Sequence, residues 1–262
     1  MATAHFSFIL VNYHSAHLIR PWINSLRALL ADLDKVEIII VNNDNEEIDI
    51  LNHLAQEFPI KIIHLPQNIG FGSAVNQGAR VASGELLFLC NPDTLFLKGD
   101  FEQLRQYFRS QHDLGMVGLQ LLDTQHQPEL FAIGKVITLW QLIKNHLPLF
   151  HPYAPTKTCF IERVSGGALC IPRELFLQIN GFDERYFLYF EDADLCQKVL
   201  VLKKKILFLP TIKIEHRGGV SMPSRKQQKK WYRQSRALYF HKHRPHYEQI
   251  CLKLFSFLFE RS

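Results

Sequence analysis

A doubly wound α/β fold on a mostly parallel sheet is what the sequence predicts, and three observations carry that expectation. Four short β-branched and apolar runs, Phe6 to Val11, Val36 to Val41, Ile60 to Leu65 and Leu86 to Cys90, alternate with stretches of helical period. Those stretches, Ala16 to Leu30 and Ile48 to Phe58, have the length of crossover helices that join parallel strands. The residues just after each run are polar, as expected where ligands bind beyond the carboxyl ends of such strands.

Taken in order, the first run leads into Asn12, Tyr13, His14 and Ser15, and the second into Asn42, Asn43 and Asp44. The third leads to Pro66-Gln-Asn-Ile-Gly-Phe-Gly72 and the fourth to Asn91-Pro-Asp93. Beyond Asp93 the alternation is irregular, and residues 123–163 show no clear period. Order returns with a strand from Val164 to Ile171 carrying the pair Gly166 and Gly167, then a short helix from Arg173 to Ile179. Aromatic residues up to Phe190 run into Glu191, Asp192 and Asp194, which open a helix lasting to about Leu202. An apolar strand, Ile206 to Ile214, precedes His216, Arg217, Gly218 and Gly219.

With 262 residues, 47% of them hydrophobic, the chain can bury one full core. The expected division is a catalytic domain over residues 1–222, with a donor half about 1–120 and an acceptor half about 160–222, followed by a tail at 223–262. The stretch Phe6 to Val11 lacks a preceding basic segment or a cleavage site and reads as a strand, not an export signal. No run approaches the roughly 18 apolar residues of a spanning helix, so a cytoplasmic protein, soluble or peripheral on a membrane, is expected. Five cysteines, odd in number and without a C-x-x-C pair, argue against a disulfide framework and fit buried thiols in a reducing compartment. Residues 1–222 hold 20 Lys and Arg against 23 Asp and Glu, whereas residues 223–262 hold 10 against 2, so the positive excess lies in the tail.

Four groups could carry chemistry. In Asn68-Ile-Gly-Phe-Gly-Ser-Ala-Val-Asn-Gln-Gly78, Gly70 and Gly72 would let backbone approach a phosphate at a helix start, with Asn68 and Asn76 as donors. An ordinary strand-to-helix turn explains the same glycines, and the third glycine of a dinucleotide fingerprint is missing. Asp93 follows a central strand, where a cation on a diphosphate needs an oxygen ligand; a turn that caps a helix is the plainer alternative. Glu191, Asp192 and Asp194 could supply a base to an attacking hydroxyl, or merely favour a helix start. His216 could complete a cation site with Asp93, or be structural.

In order along the chain, Val11-Asn-Tyr-His-Ser15, Asn68 to Gly78, Asn91-Pro-Asp93, Ser165-Gly-Gly-Ala168, Gly181-Phe-Asp183, Glu191-Asp-Ala-Asp194 and His216 resemble family 2 glycosyltransferases. The likeness is strongest to the rhamnosyltransferase-like branch of bacterial polysaccharide assembly and covers about residues 5–220. It implies a GT-A fold, an inverting mechanism and a Mg²⁺ or Mn²⁺ ion on a nucleotide-sugar donor. By position, Asp93 and His216 would hold the metal and Asp192 would be the general base, with Glu191 or Asp194 orienting the acceptor. Asn12, Tyr13, Asn42, Asn43, Asn68, Gly70, Phe71, Gly72, Asn76, Asn91 and Asp93 would face the donor; Gly166, Gly167 and Glu191 would face a glycan or lipid-linked acceptor. Family members usually carry Asp at the position of Asn42; an Asn oxygen can still accept the imide N–H of uracil or thymine.

The tail places Arg225, Lys226, Lys229, Lys230, Arg233 and Arg236 near helical spacing beside Trp231, Tyr232 and Tyr239, which suits docking on an anionic membrane surface. In the competing arrangement Trp231, Tyr239 and Phe257 pack on the catalytic domain while the cations face water. Nucleic acid is not an expected partner, because no recognition motif accompanies the basic residues. Two rival functions share the predicted sheet: a sugar-phosphate nucleotidyltransferase, which would need glycines after the first strand where Asn12 to Ser15 has none, and a non-catalytic sugar-nucleotide or glycan-binding module.

Overall fold

The computed structural model describes residues 5–30, 35–145, 155–218 and 224–259; the side chains of residues 145 and 255–259 fall outside that description. The chain runs β1 (Phe6–Asn12), α1 (Ala16–Arg27), β2 (Val36–Asn42), α2 (Ile48–Glu57), β3 (Ile60–His64), α3 (Phe71–Val81), β4 (Leu86–Cys90) and β5 (Thr94–Lys98). It continues through α4 (Phe101–Ser110), β6 (Leu114–Leu122), β7 (Ile133–Gly134), α5 (Leu139–Asn145), β8 (Cys159–Ile161), β9 (Arg163–Val164), β10 (Ala168–Pro172) and α6 (Arg173–Gln178). The last elements are α7 (Glu191–Val201), β11 (Lys205–His216), α8 (Arg225–His243) and α9 (His246–Phe259).

The main sheet has the order β3-β2-β1-β4-β10-β6-β11-β5, with β8 added beside β11. Along that order β3, β2, β1, β4, β6 and β11 are parallel, and β10 and β5 run against them. The central strands are apolar on both faces, because both are covered. Phe8, Leu10 and Phe88 face Ile19, Trp22 and Leu26 of α1, Leu51 of α2 and Leu104 of α4. Ile9, Val11 and Leu89 face Val75 of α3, Phe176 of α6 and Leu195 of α7. The Trp22 indole N–H, buried in the first layer, donates to Thr94 Oγ1 at 3.2 Å, so its polar atom is satisfied.

Two departures from the sequence reading matter for the site. The expected strand from Val164 to Ile171 is divided into β9 and β10, and Gly166-Gly167 forms the turn between them. The irregular region after Asp93 contains β5, α4 and β6, and Asp93 caps no helix, since a strand follows it. Only Asn91, Pro92 and Asp93 separate β4 from β5, yet β5 pairs with the end of β11, three strands further along the sheet. A link that short spans about 10–14 Å, so the sheet must curl until the carboxyl ends of β4 and β11 approach each other. A break in register between Leu209 and Lys213 of β11 permits that curl.

The tail is packed on the domain. Tyr239 and Phe240 of α8 join Tyr186, Phe190 and Ala193, with Leu142 of α5 and Leu252 of α9, in a third apolar cluster. Arg225, Lys226, Lys229, Lys230 and Arg233 are exposed, whereas Arg236, expected among the outward cations, is buried beside the Tyr232 ring. The side chain of Phe257, residues 146–154 of the region without a period, and Gly219 lie outside the described residues. Among the described residues no helix is long and apolar enough to cross a membrane. Cys90, Cys170 and Cys196 are buried thiols, as expected, while Cys251 is exposed.

Candidate active site

The carboxyl ends of β1, β2 and β4, the 66–70 turn and the 165–167 turn open onto one cavity of about 1180 Å³. Of the residues expected at a donor, Tyr13, Asn43, Asn68, Gly70, Phe71, Asn91 and Asp93 line it, and so do Gly166, Gly167, Glu191 and Asp192. Because β10 lies beside β4, carboxylates nearly a hundred positions apart, Asp93 and Asp192, border the same cavity.

Local hydrogen bonds tie the two sides of this cavity to each other. The Asn91 amide donates to the Gly167 carbonyl at 3.3 Å, and the Gly166 amide donates to Asp192 Oδ2 at 3.1 Å. Asp192 Oδ1 accepts from the Ala193 amide at 2.7 Å, so both oxygens of this carboxylate are aimed by backbone groups. Glu191, beside it, is 6% exposed, and its Oε2 has no hydrogen-bond partner. Burial, and then the neighbouring Asp192 charge, push the Glu191 carboxyl up to about 8. Glu191 therefore keeps its proton at neutral pH. The turn before them carries two consecutive left-handed residues, Tyr189 at φ 71° and Phe190 at φ 65°. Such conformations cost of order 1–3 kcal/mol each in non-glycine residues and gather at functional sites.

Asp93 and His216 meet because Thr94 pairs opposite His216 in the β5–β11 ladder. Asp93 Oδ1 is buried without a hydrogen-bond partner and stands 3.5 Å from His216 Nε2, in ion-pair range. Glu129 Oε1 lies 2.6 Å from Nδ1 on the other side of the ring. Asp93 first, and Glu129 after it, raise the imidazole to about 10. A buried oxygen without a partner and an imidazole held from behind by a carboxylate are the features of a metal-ligating pair with its outer support. Among the described residues, no group of three or more His, Cys, Asp or Glu side chains could hold a cation alone. Asp93 and His216 therefore fit two ligands of a divalent ion.

Six expected site residues do not line the cavity: His216, which meets Asp93 at its border, and five others, each held elsewhere for a structural reason. Asn12 and Asn42 are fully buried and hydrogen-bonded to each other at 2.8 Å. The Asn42 amide also donates to the Asp44 and Glu46 carbonyls, so its groups fix the strand ends and present no edge to a base. A Cβ on Gly72 would stand 2.9 Å from that of Phe182, which explains this glycine by helix packing. Asn76 clasps the Phe182 backbone, donating to its carbonyl and accepting from its amide, both at 2.9 Å. Asp194 is turned the other way, 2.6 Å from His243 Nε2 and from Lys242 Nζ of α8. Burial raises its carboxyl, but His243 and Lys242 outweigh that and leave it lowered.

Gly70 is required by close approach. At φ +91°, a Cβ there would sit 2.6 Å from the Phe187 carbonyl oxygen, which already accepts from the Phe71 amide at 3.1 Å. Asn43 holds the same turn, donating to Asn68 Oδ1 at 3.0 Å and accepting from the Ile69 amide at 3.0 Å. Glu129 was not foreseen, since its segment has no period and no motif. Nor was the presence of Trp231 and Tyr232 on the cavity wall, although both stood out as aromatic residues of the tail.

Known proteins can now be set beside this geometry. Residues 7–146 match the family model "Glycosyl transferase family 2", and residues 147–226 match "N-terminal domain of galactosyltransferase". The chain is 24% identical over 243 residues to the minor teichoic acid biosynthesis protein GgaB of Bacillus subtilis, covering 88% of this chain and 25% of that protein. To the N-acetylglucosaminyl-diphospho-decaprenol L-rhamnosyltransferase of Mycobacterium tuberculosis it is 25% identical, covering 62% of this chain and 60% of the relative. It thus spans only part of the length of these relatives. The crystal structure of GalNAc-T7 with UDP, GalNAc and Mn²⁺ superposes with a TM-score of 0.66 at 14% identity, over 82% of this chain and 43% of that one. That likeness agrees with the GT-A architecture of a mostly parallel sheet between helices. With more than half of its length matched by one family model, and the strand-end cavity that such a fold uses, the chain belongs to glycosyl transferase family 2.

Proposed function

We propose that the protein is an inverting glycosyltransferase. It moves a sugar from a nucleotide-diphosphate sugar, dTDP-rhamnose or a UDP-hexose, to a hydroxyl of a glycan or lipid-linked glycan in cell-surface polysaccharide assembly. The observation that carries this reading is the single cavity bordered by both Asp93 and Asp192, with Gly166 and Gly167 linking their loops. Tyr13, Asn43, Asn68 and Asn91 bind the nucleotide and its phosphates from the strand-end side. Asn12, Asn42, Gly72 and Asn76 act from behind, by holding those loops in shape.

Asp192 is the base. Two backbone amides fix its orientation, and Glu191 beside it keeps its proton at neutral pH. Asp192 takes the proton of the acceptor hydroxyl as that oxygen attacks the anomeric carbon; the diphosphate departs from the opposite face. Glu191 orients the acceptor. Asp93 and His216 would hold Mg²⁺ or Mn²⁺, which when bound offsets the charge growing on the leaving diphosphate. Asp194 contributes by anchoring α8.

The exposed cations Arg225, Lys226, Lys229, Lys230 and Arg233 support contact with an anionic membrane surface, where a lipid-linked acceptor would lie. Flotation with anionic and neutral vesicles tests this; equal behaviour of the full chain and of the five-fold Ala variant removes it.

A panel of nucleotide sugars, each with Mn²⁺ or with chelator, tests the main reading by thermal shift and donor hydrolysis. The expected result is stabilisation by one donor class only in the presence of the ion. No stabilisation or hydrolysis with any nucleotide sugar would overturn it.

A further inference from the structure

The residues of α8 that bind the domain form one stripe. Trp231 and Tyr232, Ser235 and Arg236, and Tyr239 and Phe240 recur every four positions and so share a helix face. The last two pairs are anchors: Tyr239 and Phe240 are 0% and 1% exposed, and Ser235 Oγ donates to the Leu188 carbonyl at 2.7 Å. The first pair differs. It lies over the cavity instead of the core, and Tyr232 remains 37% exposed.

Trp231 stacks on Phe187, with ring centroids 4.4 Å apart and planes at 35°. Tyr232 lies 5.9 Å from Tyr189 and 5.2 Å from Phe190. These three ring contacts lie on the turn that delivers Glu191 and Asp192, so the aromatic wall stands on the side of the cavity where Asp192 is. Helix packing accounts for the anchors; Trp231 and Tyr232, packed on the 187–190 turn, also border the cavity that Asp192 borders.

We infer that Trp231 and Tyr232 of α8 form an acceptor subsite, a flat apolar wall that takes the C–H face of a pyranose ring and holds its hydroxyl toward Asp192. This rests on the role of Asp192 as the base, proposed above. It also means that the segment after residue 226, beyond both family-model matches, belongs to the working site. Trp231 provides the face, Tyr232 the edge, and Phe187 backs the indole against the 66–71 turn through its carbonyl.

Methyl glycosides of glucose, galactose, N-acetylglucosamine and rhamnose serve as probes, with saturation-transfer NMR reporting ring contact and thermal shift reporting nucleotide-sugar binding. Full-length wild type, Trp231→Phe and Trp231→Leu are compared. Leu preserves apolar packing for the tail and removes the flat face; Phe retains both. At least one glycoside should contact wild type and Trp231→Phe, and bind Trp231→Leu about tenfold more weakly, the size of one aromatic contact. Nucleotide-sugar shifts should be alike in all three. Equal glycoside binding in the Leu and Phe variants, or no glycoside contact with a wild type that binds donor, overturns the subsite. Loss of donor binding in wild type would instead strike at the glycosyltransferase reading itself.

Discussion

The amide of Gly166 donates to Asp192 Oδ2 at 3.1 Å, which ties the β9–β10 turn to the first helical turn of α7. With Ala193 holding the other oxygen, the carboxylate cannot rotate without losing a backbone bond. Asp192→Asn keeps an oxygen for Gly166 but has no basicity. Transfer should fall by about 10²–10⁴, the usual share of a positioned base. Nucleotide-sugar affinity, measured in the same variant, should stay within twofold of wild type; transfer at the wild-type rate would remove Asp192 from its role.

Asp93→Ala should abolish the Mn²⁺-dependent part of nucleotide binding, and His216→Ala should weaken it. Because Asp93 and Glu129 hold a proton on His216 up to about pH 10, the ion must displace that proton to use the ring. Apparent Mn²⁺ affinity with UDP or dTDP should therefore tighten from pH 7 to pH 9, and this slope should vanish in His216→Ala. Without the ion the sign is opposite. A raised imidazole stabilises the fold fully below pH 6.5, and that contribution is lost as pH rises through 10. Thermal melts across this range, with and without Mn²⁺, read both slopes.

Glu191 makes a second pH prediction. Its carboxyl is raised from 4.5 to about 8, so the folded state binds the proton more tightly than the unfolded chain does. Stability from this group is complete below pH 4.5 and disappears as pH climbs through 8. Glu191→Gln is neutral throughout. The melting temperature of this variant, relative to wild type, should shift in its favour between pH 5 and pH 8.5; a constant difference would refute the assignment.

Gly70→Ala asks an alanine to adopt φ +91° with its methyl 2.6 Å from the Phe187 carbonyl oxygen. Strain of this kind costs about 1–3 kcal/mol before any backbone shift. Denaturant unfolding should show that loss, and nucleotide affinity should fall with it, since the 66–71 turn and the Phe187 loop would separate.

Much of the fold is legible from residue pattern. The runs at Phe6, Val36, Ile60 and Leu86 are continuous because their strands are buried on both faces, and the polar groups after them fall at strand ends. Asp93 stands out for the same reason, and Asp192 as one of the carboxylates that follow the aromatic residues up to Phe190 and open α7. Side-chain direction is not legible in this way. Asn42 and Asn43 are neighbours of equal polarity, yet strand alternation turns one into a buried clamp and the other toward the cavity. Asp194 stands two positions after Asp192, and the helical turn between them directs it to His243 and Lys242 instead. Glu129 reaches His216 only through tertiary pairing of β6, β11 and the loop between β6 and β7, and no local pattern encodes that.

The β5–β11 ladder also has a bearing on how this protein could change. Thr94 and His216 are partners across backbone hydrogen bonds, so the interval between Asp93 and the imidazole is ruled by strand geometry and not by a loop. The entropy of assembling those two groups is met during folding, before any ion arrives. Drift in the surface loops would leave that interval untouched. At the metal site proposed for Asp93 and His216, a change of cation preference would have to come from replacing the side chains themselves, or from sliding a strand by a full register step.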